Sequence, residues 1–317
     1  MNGTNQTADV DSGDMASLVS RILVTSSLNI WLVCTSGTVC YGVVLYIWHK
    51  YKADFASPFY TLSRFLALAD VWMMVLEFAY AFPIAVGGRA SLPAWYHTVC
   101  GICRHVAAWI EIPLIPIIAI NRYVMIFHSQ TGQRLFSHKS NLCIGAILCL
   151  FGLGMAGWAY WCECVIQFIG FAWTYPCANP CLARYLQATL VISTTSALVV
   201  SVIYPLIFIR LRISLRAAGQ EETARQQQEA FKKEAALVKQ VSIIVVCFLS
   251  WMVLFYVVQW TPTSKATAGR ILHLVNNLNV ATTPFCYLTF SSTMRSRLSG
   301  KYSVWKQSMV LSTGTKP

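Results

Sequence analysis

Residues 140–163 read SNLCIGAILCLFGLGMAGWAYWCE, and no Asp, Glu, Lys or Arg interrupts them before Glu163. As a helix, a run of this length covers the hydrocarbon core of a bilayer, about 30 Å thick. Working outward, further apolar runs bounded by charge fall at 22–48, 58–86, 99–127, 184–209, 236–260 and 268–290. The pattern predicts an all-α membrane protein of seven spans. Spans two and three are the most polar, because Arg64, Asp70 and Glu77 interrupt one and Arg104 and Glu111 the other. Composition agrees. The chain of 317 residues is 56% hydrophobic and only 11% charged, whereas a soluble domain carries about a quarter charged residues. Its 11 Trp suit the headgroup level of a membrane. No internal repeat points to a transporter built from two halves.

The formal charge of +12 does not imply nucleic acid, which needs a soluble basic face. The basic residues lie in short stretches between apolar runs and report topology, since cytoplasmic loops collect Lys and Arg. With the N-terminus outside, the inner segments hold Lys50, Lys52, Arg64, Arg122, Arg134 and Lys139, then Arg210, Arg212, Arg216, Arg225, Lys232, Lys233 and Lys239. The tail adds Arg295, Arg297, Lys301, Lys306 and Lys316. Of 24 basic residues only Arg21, Arg89, Arg104, Arg184, Lys265 and Arg270 stay on the other side. The N-x-T acceptors at Asn2 and Asn5 fit glycosylation in the lumen. No basic stretch precedes the first span, so no cleaved signal peptide is expected.

Six cysteines (Cys34, Cys40, Cys143, Cys149, Cys247 and Cys286) fall inside spans as small apolar residues. The other six, Cys100, Cys103, Cys162, Cys164, Cys177 and Cys181, belong to the outer side, where disulfides are the default and their pairing stays open. With no His among them, no metal site is expected. The segment from Glu163 to Ala183 is rich in aromatic residues: Phe168, Phe171, Trp173 and Tyr175. Pinned by disulfides it would form a lid over the bundle; otherwise it packs only on its neighbours.

Ala119-Ile120-Asn121-Arg122-Tyr123, ending span three, resembles the D/E-R-Y signature of rhodopsin-like G-protein-coupled receptors. Leu66-Ala67-Leu68-Ala69-Asp70 is similar to that family's L-A-x-A-D, and Thr283-Pro284-Phe285-Cys286-Tyr287 to its N-P-x-x-Y. Ser291, Met294-Arg295 and Leu298 match the short amphipathic helix that follows span seven. Tyr204 with Arg210-Leu211-Arg212 matches the end of span five, and Lys232-Lys233-Glu234 with Lys239 the start of span six. The match covers nearly the whole chain. Asn121 followed by Leu135-Phe136-Ser137 resembles, more narrowly, divergent nematode chemoreceptors. Departures are Asn121 for the acid before Arg122, Thr283 for the Asn before Pro284, Thr38 in span one, and no proline after Trp251. The family's cysteine at the head of span three falls at His97, about one turn from Cys100.

The resemblance implies an extracellular segment at 1–21, a seven-helix bundle at 22–290, and a cytoplasmic amphipathic helix and tail at 291–317. It implies a plasma-membrane receptor without catalytic chemistry. Its expected partners are an extracellular small molecule or peptide and a heterotrimeric G protein. Coupling is expected of Asn121, Arg122, Tyr123, Tyr204, Glu234 and Tyr287. The family's disulfide from span three is expected to run from Cys100 or Cys103 to the Cys162–Cys181 loop. Asp70, Glu111 and Asn279 should form a polar core, because a carboxylate inside the membrane is costly and marks function. Two such acids either share a cation or leave one protonated. Arg104, Glu77 and Trp109 are candidates for the ligand site, with Arg104 paired to Glu77. Pro113 and Pro116 should kink span three. No cofactor is expected: the Schiff-base lysine of opsins falls at Asn277, and the amine-binding Asp of amine receptors falls at Arg104. A competing reading takes Asp70, Glu77, Arg104 and Glu111 as the lining of a transporter or channel.

This topology has a direct check. An epitope appended to the C-terminus should be stained only after permeabilisation, and glycosidase should shift the wild-type band but not that of Asn2→Gln/Asn5→Gln. Staining of the epitope on intact cells would overturn the orientation.

Overall fold

The computed structural model describes residues 31–169, 172–175, 180–217, 242–254, 257 and 265–299. Expectations placed on Asn2, Asn5, Cys177 and Glu234 lie outside the described residues. Helix α1 is Trp31–Lys50. Helix α2, Pro58–Leu76, continues through a π turn, Glu77–Ala81, into α3, Phe82–Gly87, and a 3₁₀ turn follows at Arg89–Ser91. Next come α4 at Ala94–Phe127, α5 at Ser129–Leu135 and α6 at His138–Trp161. An outer hairpin of β1, Gln167–Ile169, and β2, Ala172–Thr174, precedes α7 at Pro180–Ala217. Helix α8 is Ser242–Leu254, α9 is Lys265–Phe290, and α10 is Ser292–Leu298.

The helix with the apolar run that decided the fold is α6. Five of the described helices, α1, α2 with α3, α4, α6 and α7, are long and apolar enough to cross a membrane. With α8 and the more polar α9 they make the seven-helix bundle, and α10 is the short helix expected after it. Local chemistry sets several ends. Pro58 opens α2, where its missing N–H costs nothing. Ser137 caps α6 by accepting from Ser140 N–H (3.3 Å), and Ser291 caps α10 by accepting from Met294 N–H (3.3 Å). Gly88 ends α3 at φ 77°, a backbone conformation that glycine adopts freely. The kink expected at Pro113 and Pro116 does not break α4, which is continuous through both.

Burial is the reverse of a soluble protein's. Leu150, Leu153 and Trp161 on α6 point outward, while Asp70, Glu77, Arg104, Glu111 and Arg122 are buried. The apolar solvent on the outside makes this arrangement favourable, provided every buried charge finds a partner. Helix α4 packs against α2, α6 and α7, and the main core cluster runs from Tyr41 and Trp48 on α1 through Leu114 and Ile118 on α4 to Tyr287 on α9.

The loop between α6 and α7 is seated on α4. A Cβ added at Gly101 would lie 2.2 Å from the Ile166 carbonyl oxygen, so only glycine allows this approach. One turn further, His105 Nε2 accepts from Ile166 N–H (3.3 Å), which places the ring hydrogen on Nδ1, 3.0 Å from the Tyr185 hydroxyl. The hairpin register pairs Phe168 with Trp173. A disulfide joins Cys162 at the end of α6 to Cys181 at the start of α7, closing a sequence separation of 19, a loop length at which a cross-link stabilises by about 3 kcal/mol. Cys164 is also disulfide-bonded. The expected link from span three is absent, since Cys100 and Cys103 are both free. Cys100 packs among Leu76, Tyr80 and Phe168, whereas the loop crosses α4 at Gly101 and its bonded cysteines stay at the exit of α6.

Gly→Ala inside a helix ordinarily stabilises by about 1 kcal/mol. Gly101→Ala should instead destabilise the purified protein by about 1–3 kcal/mol, seen as a lower thermal transition, because the new methyl meets backbone. A raised transition temperature would show that the loop does not rest here.

Candidate functional site

Glu77 opens the π turn of the second span and is only 1% exposed. Pro83, six residues on, has no N–H for the Ala79 carbonyl, and that oxygen accepts from the Tyr96 hydroxyl instead (3.0 Å). The turn aims the Glu77 carboxylate at three elements. Arg104 Nη1 on α4 lies 3.5 Å from Oε1. Trp173 Nε1–H on β2 donates to Oε1 (2.8 Å). His273 Nε2 on α9 lies 3.0 Å from Oε2, and a proton on that nitrogen makes it the donor a carboxylate requires. Asn277 Nδ2 is placed 3.0 Å from the same nitrogen. Two donors do not share such a contact, so the amide oxygen belongs there, an exchange indistinguishable by shape.

The hairpin closes over this cluster. The Trp173 ring lies 5.0 Å from the Arg104 guanidinium and 5.3 Å from Tyr80. Phe168, opposite Trp173, sits 5.2 Å from the His273 ring. The loop is therefore a lid whose strand β2 contributes a ligand to the buried carboxylate. Trp109 is elsewhere: its Nε1–H donates to the Tyr185 hydroxyl (2.7 Å), within a cluster formed with Ile112, Met155 and Ala159. It faces α6 and α7, away from Arg104 and Glu77.

Deeper in the bundle, Tyr41 on α1 donates its hydroxyl to Asp70 Oδ2. Asp70 Oδ1 and Asn279 Oδ1 are buried oxygens without a hydrogen-bond partner. Glu111 is buried and close enough for its charge to act on Asp70. Near the C-terminal end of α4 the Arg122 guanidinium lies 3.3 Å from the centroid of the Phe59 ring. Tyr204 on α7 and Tyr287 on α9 are buried in the same core cluster as Phe59. Asn121 is completely buried, with neither amide atom hydrogen-bonded. Tyr123 is half-buried, its ring 4.7 Å from Phe127 and packed with it against Ile207 of α7.

The structure thus brings Arg104 to Glu77, and Arg122 to Phe59 within the core cluster of Tyr204 and Tyr287. Sequence reasoning missed His273, Trp173 and Tyr41. A signal existed for the first two, since a buried carboxylate needs several donors and one arginine supplies only part of them.

The arrangement has the fold of rhodopsin-type receptors. It is similar to the crystal structure of squid rhodopsin, with a TM-score of 0.77 at 16% sequence identity over 89% of this chain and 86% of that one. More narrowly, residues 17–304 match the family model for the serpentine type 7TM GPCR chemoreceptor Srv, and the chain belongs to that family. No curated protein matches it.

The cluster predicts an asymmetry. Glu77→Gln strands a buried guanidinium and should destabilise by about 3–5 kcal/mol. Arg104→Met leaves the carboxylate its Trp173 and His273 donors and should cost clearly less. Thermal unfolding of the two variants in detergent measures both. Equal losses would mean that His273 and Trp173 contribute nothing.

Proposed function

We propose that the chain is a receptor that binds an extracellular small molecule or peptide and activates a heterotrimeric G protein, from the plasma membrane with its N-terminus outside. The observation that carries this reading is the burial of Arg122 against Phe59, in the core cluster that also holds Tyr204 of α7 and Tyr287 of α9, in a chain of the serpentine chemoreceptor family. A guanidinium held against Phe59 in one state is free to face a G protein in another, if the helices around it shift. Glu234, at the base of span six, is the acid proposed to hold Arg122 in the resting state, the role that Asn121 cannot fill for lack of charge.

The outer cluster is the proposed input. Trp173 on the lid and His273 on α9 share one carboxylate, so a ligand that displaces the hairpin also alters what holds α9 to α2 and α4. A ligand shifts such an equilibrium only by its differential affinity for the two states. Asp70, Glu111 and Asn279 are proposed as the polar core across which the helices rearrange. The transporter reading is weaker, because Glu77 and Arg104 form a buried ion pair under the hairpin and do not line an open path.

Arg122→Ala should abolish second-messenger responses in expressing cells, at surface levels near wild type. Glu234→Ala should raise basal signalling, since loss of the closing partner destabilises the resting state. Undiminished signalling by Arg122→Ala would refute the role of Arg122.

A further inference from the structure

A groove of about 420 Å³ runs along the outside of α1 to its junction with α10. Its floor is Val39, Gly42, Val43 and Ile47, and Leu298 of α10 closes one end. A Cβ added at Gly42 would meet nothing within 4 Å, so this glycine leaves the floor open. From residue 39 to residue 50 the helix rises about 16 Å, long enough for most of an acyl chain.

Two cations stand at the head of the groove. Lys50 Nζ donates to the Tyr46 hydroxyl (3.2 Å) and lies over the rings of Tyr46 (5.4 Å) and Tyr51 (5.6 Å). The Arg297 guanidinium, bonded to Asp54, lies 4.4 Å from the same Tyr51 ring. Lys50 has no acidic partner among the described residues. Its ammonium is therefore held in place by aromatic rings while its charge stays uncompensated. An uncompensated, oriented cation above an apolar trough matches an anionic phosphate carrying a hydrocarbon tail.

We propose that this groove binds one anionic diacyl phospholipid, its headgroup on Lys50 and Arg297 and a chain along Gly42. A second copy of the protein is the poorer occupant. Isologous packing on this face brings Lys50 and Arg297 towards their own counterparts and sets like charges against each other. The orientation proposed above decides only which leaflet supplies the lipid. Binding in detergent is independent of it, and epitope staining reads it separately.

Native mass spectrometry of the purified full chain tests the site, with phosphatidylserine or phosphatidylcholine added at equal mole fraction. The wild type should retain phosphatidylserine preferentially. Lys50→Ala should reduce that preference about fivefold, the contribution of one basic residue near an anionic surface, and Lys50→Arg should keep it. Gly42→Leu, whose added atoms enter open space, should reduce retention of both lipids at an unchanged thermal transition, and it decides the matter if Lys50→Ala does not fold. Equal retention of the two lipids by the wild type, or an unaltered preference in Lys50→Ala, would overturn the proposal. So would a Gly42→Cys disulfide dimer that forms equally in either lipid, which would assign the groove to a second copy.

Discussion

One carboxylate in an apolar solvent organises the outer half of this bundle. Removing an ion from water costs several kcal/mol even after the surroundings relax, and Glu77 is only 1% exposed. Its oxygens are met by Arg104 from α4, His273 from α9 and Trp173 from β2, so the positions of two helices and the lid are tied to one residue of α2. The π turn at Glu77–Ala81 and the Tyr96 hydroxyl on the Ala79 carbonyl are the local means by which α2 presents it. Each donor is needed, because a half-satisfied buried network is worse than an apolar one.

The same helix that supplies Arg104 ends near Arg122. About 27 Å of continuous α4 separates the two, with Glu111 between them close to Asp70. A continuous helix of that length, packed on α2, α6 and α7, ties its two ends together, and interfaces of packed side chains change between discrete arrangements. The proposed coupling of outer ligand to inner partner therefore needs no separate path. It needs only that the lid and α9 hold the Glu77 cluster differently in two states.

Most of the fold could be read from the chain. The run at 140–163 became α6, and the position of Arg122 at the inner end of α4 followed from the end of span three. The pairing of Arg104 with Glu77 followed from depth, two intramembrane charges of opposite sign on adjacent spans. The sequence showed that Glu77 needs further donors but not that His273 and Trp173 supply them, because one is a lone histidine in span seven and the other lies in a loop without periodicity. Their roles depend on how the hairpin folds back over the bundle. The expected disulfide from Cys100 or Cys103 failed for a rotational reason. Cys100 is turned into the Tyr80 and Phe168 cluster, and a register argument good to one turn does not fix which face a side chain occupies. For the same reason the sequence did not show that Trp109 turns to Tyr185 on α7.

The central proposal is that the bundle transmits a signal and does not carry a solute. The direct measurement reconstitutes the purified chain in vesicles with purified heterotrimeric G proteins of several classes, and follows nucleotide exchange and solute flux in the same preparation. The expected result is faster exchange of GDP for GTP on at least one G protein, lost with Arg122→Ala, and no flux above that of empty vesicles. Flux carried by the protein with no effect on exchange would contradict the receptor account and make Asp70, Glu77, Arg104 and Glu111 a transport path.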